Sequence, residues 1–154
     1  SPPEFLKHGG PLEILQLWIN LPARLKMTAP RYVGLQRDEI PTSTIDGATM
    51  HRVTDAIESL TGVELMTIEL AAGARLTLPA PRGRTVFYYN VSEFKLFEMN
   101  DDADSVDIAA DRDSRILFGH AEPLREPIAS YGPFVMNTEA EIVQAIRDYQ
   151  AGRF

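Results

Sequence analysis

Three histidines, a run of aspartates and two closely spaced arginines are the side chains of this chain whose types and spacing could do chemistry. The histidines are His8, His51 and His120, and cysteine is absent, which excludes disulfides, thiolate metal sites and cysteine nucleophiles. A metal site inside a β-barrel needs about four converging ligands, commonly two histidines separated by one residue, then a carboxylate and a further histidine. No His-x-His occurs here. The sharpest remnant is His120 with Glu122, whose spacing puts both side chains on one face of a strand, but two ligands hold a metal weakly. Pro123 and Pro127 follow and pull the chain out of a sheet, so a turn histidine is the expectation.

The acidic stretch "NDDADSVDIAAD" places Asp101, Asp102, Asp104 and Asp107 as hard oxygen donors of the kind calcium prefers. Counted as a calcium loop from Asp101, the sixth position is Val106 instead of glycine and the twelfth is Arg112 instead of glutamate. A solvated hairpin tip is expected. In "PRGR", Arg82 and Arg84 could hold an anion or a carboxylate, although two arginines in one turn are usually only solvated. No catalytic, cofactor-binding or metal-binding residue is assigned from the residues alone.

The elements that would position these groups belong to a chain of 154 residues, 44% apolar and 24% charged, long enough to bury one core. Its 22 acidic residues outnumber 15 basic ones, and the net charge of −7 would repel a phosphate backbone. No direct nucleic-acid partner is expected. Neither is a membrane one, since no window holds the ~18 consecutive apolar residues of a spanning helix, and "SPPEFLKHGG" lacks the apolar core of a signal peptide. A reducing cytoplasm is the expected compartment.

Leu15, Leu17, Ile19 and Leu21 recur at period two, which predicts a strand with one buried face. "ARLKMTAPRYVGLQRDEIP" has no sustained period and reads as a surface connector. The runs "GVELMTIELAAG", "ARLTLPAP", "TVFYYNVSEFKLFEM", "SVDIAA" and "SRILFGH" then predict short antiparallel strands of a sandwich or barrel. Ala74, Leu76 and Leu78 share one face, and Phe94 and Leu96 oppose Lys95 and Phe97. Only the end of the chain changes period: Ile142, Val143, Ile146 and Tyr149 follow helical spacing, Thr138 and Glu141 form a capping box, and Gly152 suits the position just past a helix end. "GPFVMN" reads as a tight, proline-set lead-in to a helix that braces a barrel through Ile142, Ile146 and Tyr149.

Two blocks carry a resemblance. "LQLWINLPARLKMTAPRY", Leu15 to Tyr32, resembles the segment joining the two halves of pirin-family proteins, and "HAEPLREPIASYGPFVMNTEAEIVQAIRDYQAGRF", His120 to Phe154, resembles that family's late signature, with Ala121 where glycine is usual. "YYNVSE" lacks the glycine that commonly turns the corner after the equivalent strand.

The resemblance implies an all-β fold, a cupin (RmlC-like) antiparallel β-barrel or sandwich with a C-terminal α-helix. It implies that residues 1–24 are the last strand and edge of an N-terminal pirin barrel, 25–39 the interdomain connector, 40–135 the C-terminal barrel, and 136–154 the helix and tail. Pirins resemble bicupins whose N-terminal barrel holds iron or another divalent metal through three histidines and a glutamate, all preceding the segment matched here. The chain is therefore expected to hold no metal itself and to be the structural wall of the metal cleft in a parent resembling a quercetin 2,3-dioxygenase. The alternative implied is a metal-dependent regulator that binds a transcription factor or metabolic enzyme. Implied partners are the N-terminal cupin domain or a second copy of the chain, with a flavonol substrate or a regulatory protein for the parent.

Overall fold

The computed structural model describes residues 3–10, 14–99 and 102–153. Two compact units are present, one comprising Met27–Pro127 and the other Ser1–Lys26 with Ile128–Phe154.

The larger unit is an antiparallel β-structure of eight strands. Asp46 and Gly47 both take positive φ, 44° and 82°, which is the backbone a two-residue hairpin demands, and they join β1 (Thr42–Ile45) to β2 (Ala48–Arg52). A short helix α1 (Pro3–His8) belongs to the other unit; here α2 (Val53–Ala56) follows β2. The remaining strands are β3 (Glu64–Leu70), β4 (Arg75–Pro79), β5 (Thr85–Asn90), β6 (Lys95–Met99), β7 (Ser105–Ala109) and β8 (Ser114–Ala121). Six of them form a sheet in the order β1-β2-β3-β8-β5-β6, and β4 pairs with β7 in a second sheet. The expectation of antiparallel β-structure holds, with the C-terminal helix present.

The two sheets share one core because period-two alternation aims the same positions inward from both. Met66, Ile68 and Leu70 of β3, Ile116 and Phe118 of β8 and Val86 of β5 pack with Leu76 and Leu78 of β4 and Val106 and Ile108 of β7. Phe118 and Ile68 are fully buried. Central strand β8 is hydrogen-bonded on both sides, Phe118 opposing Met66 on β3 and Tyr88 on β5. On the outer face of β8, Gly119 leaves little room for a side chain: a Cβ there would stand 3.0 Å from the Phe87 ring, 3.1 Å from the Glu64 carbonyl and 3.1 Å from the Leu65 side chain.

The β6–β7 connection differs from the expected hairpin tip. β6 and β7 lie in different sheets, so the acidic stretch is a crossing between them. At the β5–β6 turn Phe94 leaves the strand, exposed and in a left-handed backbone of φ 56°, while Phe97 stacks on Tyr88 with ring centroids 4.4 Å apart. Residues 27–39 cross the surface without a strand, with a short 3-10 turn at Arg37–Glu39, and are tied down by ion pairs of Arg31 with Glu58, 3.2 Å, and Arg37 with Glu69, 2.9 Å.

In the smaller unit, Gly132 at φ 54° turns β9 (Ala129–Tyr131) into β10 (Phe134–Met136), and α3 (Glu139–Gln150) packs on that hairpin. The capping box is formed as expected: the Glu141 amide donates to the Thr138 hydroxyl and the Thr138 amide donates to the Glu141 carboxylate at 2.8 Å. Gly152 closes the helix at φ 67°. "GPFVMN" is thus half of a hairpin, and the buried helix positions are Ile142 and Ala145, with Tyr149 65% exposed and edge-on to Phe134.

The expected strand of Leu15, Leu17, Ile19 and Leu21 is not formed: residues 14–22 carry no regular secondary structure. Strand alternation becomes a strand only when a neighbour accepts its backbone hydrogen bonds, and no described strand pairs with this segment. Leu15, Leu17, Trp18 and Ile19 are left exposed.

Candidate functional site

The titratable groups that the structure brings together lie at one end of the six-stranded sheet. His120 points inward from the end of β8, beyond Phe118, whose ring it meets edge-on at 5.9 Å. The antiparallel register sets Glu64 on β3 and Val86 on β5 opposite it. Thr54 of α2 fixes Glu64, its hydroxyl donating to the carboxylate at 3.3 Å while accepting from the Leu65 amide at 3.0 Å.

Arg84 enters this corner from the turn before β5, where Gly83 takes φ 77° and the Arg84 amide donates to the Pro81 carbonyl. Its Nε donates to His120 Nδ1 at 2.8 Å, and its Nη2 donates to the Gly62 carbonyl and, at 3.4 Å, to the His120 carbonyl. A guanidinium can only donate, so Nδ1 holds a lone pair and the ring proton sits on Nε2. Burial, and then the adjacent Arg84 charge, hold the imidazole below the usual histidine range, with Glu64 pulling the other way. His120 is therefore a neutral acceptor that orients an arginine.

The remaining guanidinium nitrogen, Nη1, faces an open cleft of about 310 Å³ lined by Arg82, Gly83, Arg84, Glu122, Pro123 and Arg125. Glu122 stands 4.0 Å from Nη1 and is largely solvent-exposed. The pairing of His120 with Glu122 that their spacing allowed is not made, since β8 ends at Ala121 and Arg84 approaches both groups. Nor is His120 a turn histidine; it is a buried strand residue. Arg84 is likewise not solvated, with its side chain 17% exposed, whereas Arg82 is exposed and pairs with Asp104 at 2.8 Å.

The other candidates are dispersed. His8 is exposed at the end of α1, and His51 accepts or donates a 2.9 Å hydrogen bond with Thr42 and lies 3.9 Å from Glu69. Asp107 accepts from Thr77 at 2.6 Å, and Asp101 lies outside the described residues. Among the described residues no three histidine, aspartate or glutamate side chains converge in a metal-binding group. His120 Nδ1 is taken by the Arg84 guanidinium, and Phe118, Ile68 and Ile116 fill the core beside it.

Residues 65–154 match the Pirin C-terminal cupin domain. The chain belongs to the pirin family. Its pirin relatives include a Pseudomonas aeruginosa protein whose assignment as a quercetin 2,3-dioxygenase is provisional, 36% identical over 97% of this chain and 59% of the relative, and the pirin of Mus musculus, 33% identical over 91% of this chain and 56% of the relative. A crystal structure of quercetin 2,3-dioxygenase from Acinetobacter baumannii superposes with a TM-score of 0.88 at 31% identity, covering 99% of this chain and 60% of that one. The chain thus spans somewhat over half the length of the pirin relatives it matches. No helix among its described residues is long and apolar enough to cross a membrane.

Proposed function

We propose that this chain is the metal-free C-terminal cupin half of a longer pirin-like protein, walling the metal cleft of an oxygenase that acts on quercetin-like flavonols. The observation that supports this most is the arginine-capped His120: the imidazole aimed into the barrel is committed to a guanidinium at 2.8 Å. Iron or another divalent metal would be held in the N-terminal barrel, as the relatives' greater length allows. The exposed segment Ile14–Ile19, with Trp18, would be covered by that barrel.

The test is to join the N-terminal half of the Pseudomonas relative ahead of Ser1 and compare it with the chain alone. The joined protein is expected to carry about one metal, to consume dioxygen with quercetin and to keep both properties in His120→Asn. Emission of Trp18, this chain's single tryptophan, is expected to shift to the blue when the N-terminal half, with any tryptophans of its own replaced by phenylalanine, is joined. Stoichiometric metal in the chain alone, lost in His120→Ala, would overturn the reading. Metal uptake without flavonol turnover would favour the regulatory alternative.

A further inference from the structure

The cleft beside Arg84 combines an immobilised cation with an unsatisfied face. Two of the three guanidinium nitrogens are fully engaged, Nε by His120 and Nη2 by two carbonyls, so the plane of the group is fixed before any ligand arrives. The third, Nη1, has Glu122 at 4.0 Å, beyond hydrogen-bond length, and opens on the cleft. Arg125 lines the cleft as well, with its backbone in the left-handed region at φ 53°. Asp104 takes up Arg82, leaving Arg84 and Arg125 against the single carboxylate of Glu122, which is 81% exposed and free to swing outward.

We infer that this cleft is a binding site for a small oxyanion, a phosphate or a carboxylate, held by Arg84 Nη1 and Arg125, with Glu122 as the group it displaces. The volume of about 310 Å³ lies at the small end of the ~300–1,000 Å³ usual for ligand sites, which suits an anion of few atoms. Guanidinium groups favour such planar or tetrahedral oxyanions because paired N–H donors match paired oxygens. The low position of His120's proton affinity serves the same end, keeping a neutral acceptor behind the cation.

Calorimetric titration of the full chain with inorganic phosphate and, separately, with citrate, at constant ionic strength, tests this. Saturable binding of one anion per chain is expected, weakened about five- to tenfold in Arg125→Gln and strengthened in Glu122→Gln. The tighter of the two anions identifies the class of ligand. Both variants change exposed side chains and leave the His120–Arg84 contact in place, so folding is retained. Absence of saturable binding, or binding that neither substitution alters, would overturn the assignment.

Discussion

Arg84 Nε and His120 Nδ1 meet at 2.8 Å although 36 residues separate them in the chain. The contact ties the start of β5 to the end of β8 and, through the Gly62 carbonyl, to the approach of β3. Replacing Arg84 by methionine keeps the aliphatic stem and removes the three hydrogen bonds that its guanidinium donates, leaving a buried imidazole nitrogen unpaired. A loss of about 1–3 kcal/mol is expected in urea unfolding, with Arg84→Lys recovering little because one ammonium cannot reproduce the fork. Equal stability of the methionine variant would show the contact to be idle.

The same contact sets a pH dependence. The folded His120 binds its proton less readily than the unfolded chain, whose histidine titrates near about 6.5. Its contribution to stability is therefore fully present above that value and is lost as the pH falls from there through the depressed folded value. Between about pH 7.5 and about pH 5.5 the native protein is expected to lose more stability than His120→Asn, whose side-chain oxygen can accept from Arg84 without titrating. Parallel curves for the two proteins would contradict this.

Gly119 should tolerate a methyl group only at a cost in stability. The Glu64 carbonyl, 3.1 Å from the position of an added Cβ, belongs to the β3–β8 ladder and cannot give way without breaking register. Gly119→Ala is expected to cost about 1–3 kcal/mol by chemical denaturation, an overpacking cost.

Phe94→Gly should have the opposite sign. The ring is 82% exposed, so little packing is lost, while the left-handed backbone at φ 56° is disfavoured for a residue bearing Cβ. A gain of about 0.5–1 kcal/mol is expected from relief of that strain net of glycine's extra chain entropy, and Phe94→Ala should show none of it.

What could be read from the sequence follows the range of the interactions involved. The α3 cap joins Thr138 to Glu141 within one helical turn, and both residues announce it. The inward face of β4, with Leu76 and Leu78, follows from alternation. The β1–β2 hairpin escaped the strand pattern, although Asp46-Gly47 was a local signal for it. Leu15 to Leu21 misled for the converse reason, alternation being necessary to a strand but hydrogen-bonding neighbours being what completes it. The "PRGR" turn was visible as a candidate anion site, but its anchoring to His120 is set by the sheet register, which no spacing within the turn encodes.

That register also governs how the chain reaches its native state. The central ladder pairs Leu70 with Ser114 and Glu64 with His120, closing the loop from Ala71 to Asp113 that includes all of β4 to β7. Loop-closure entropy of this kind must be met before the contacts form, which places the fold among the slower, nonlocal topologies. On a ribosome β3 would wait, one edge bare, until β8 had emerged. The β1–β2 hairpin can form early on one side of it, so the bare backbone edge is the one that awaits β8, and the inward-facing Met66, Ile68 and Leu70 are the residues a chaperone would have most cause to shield.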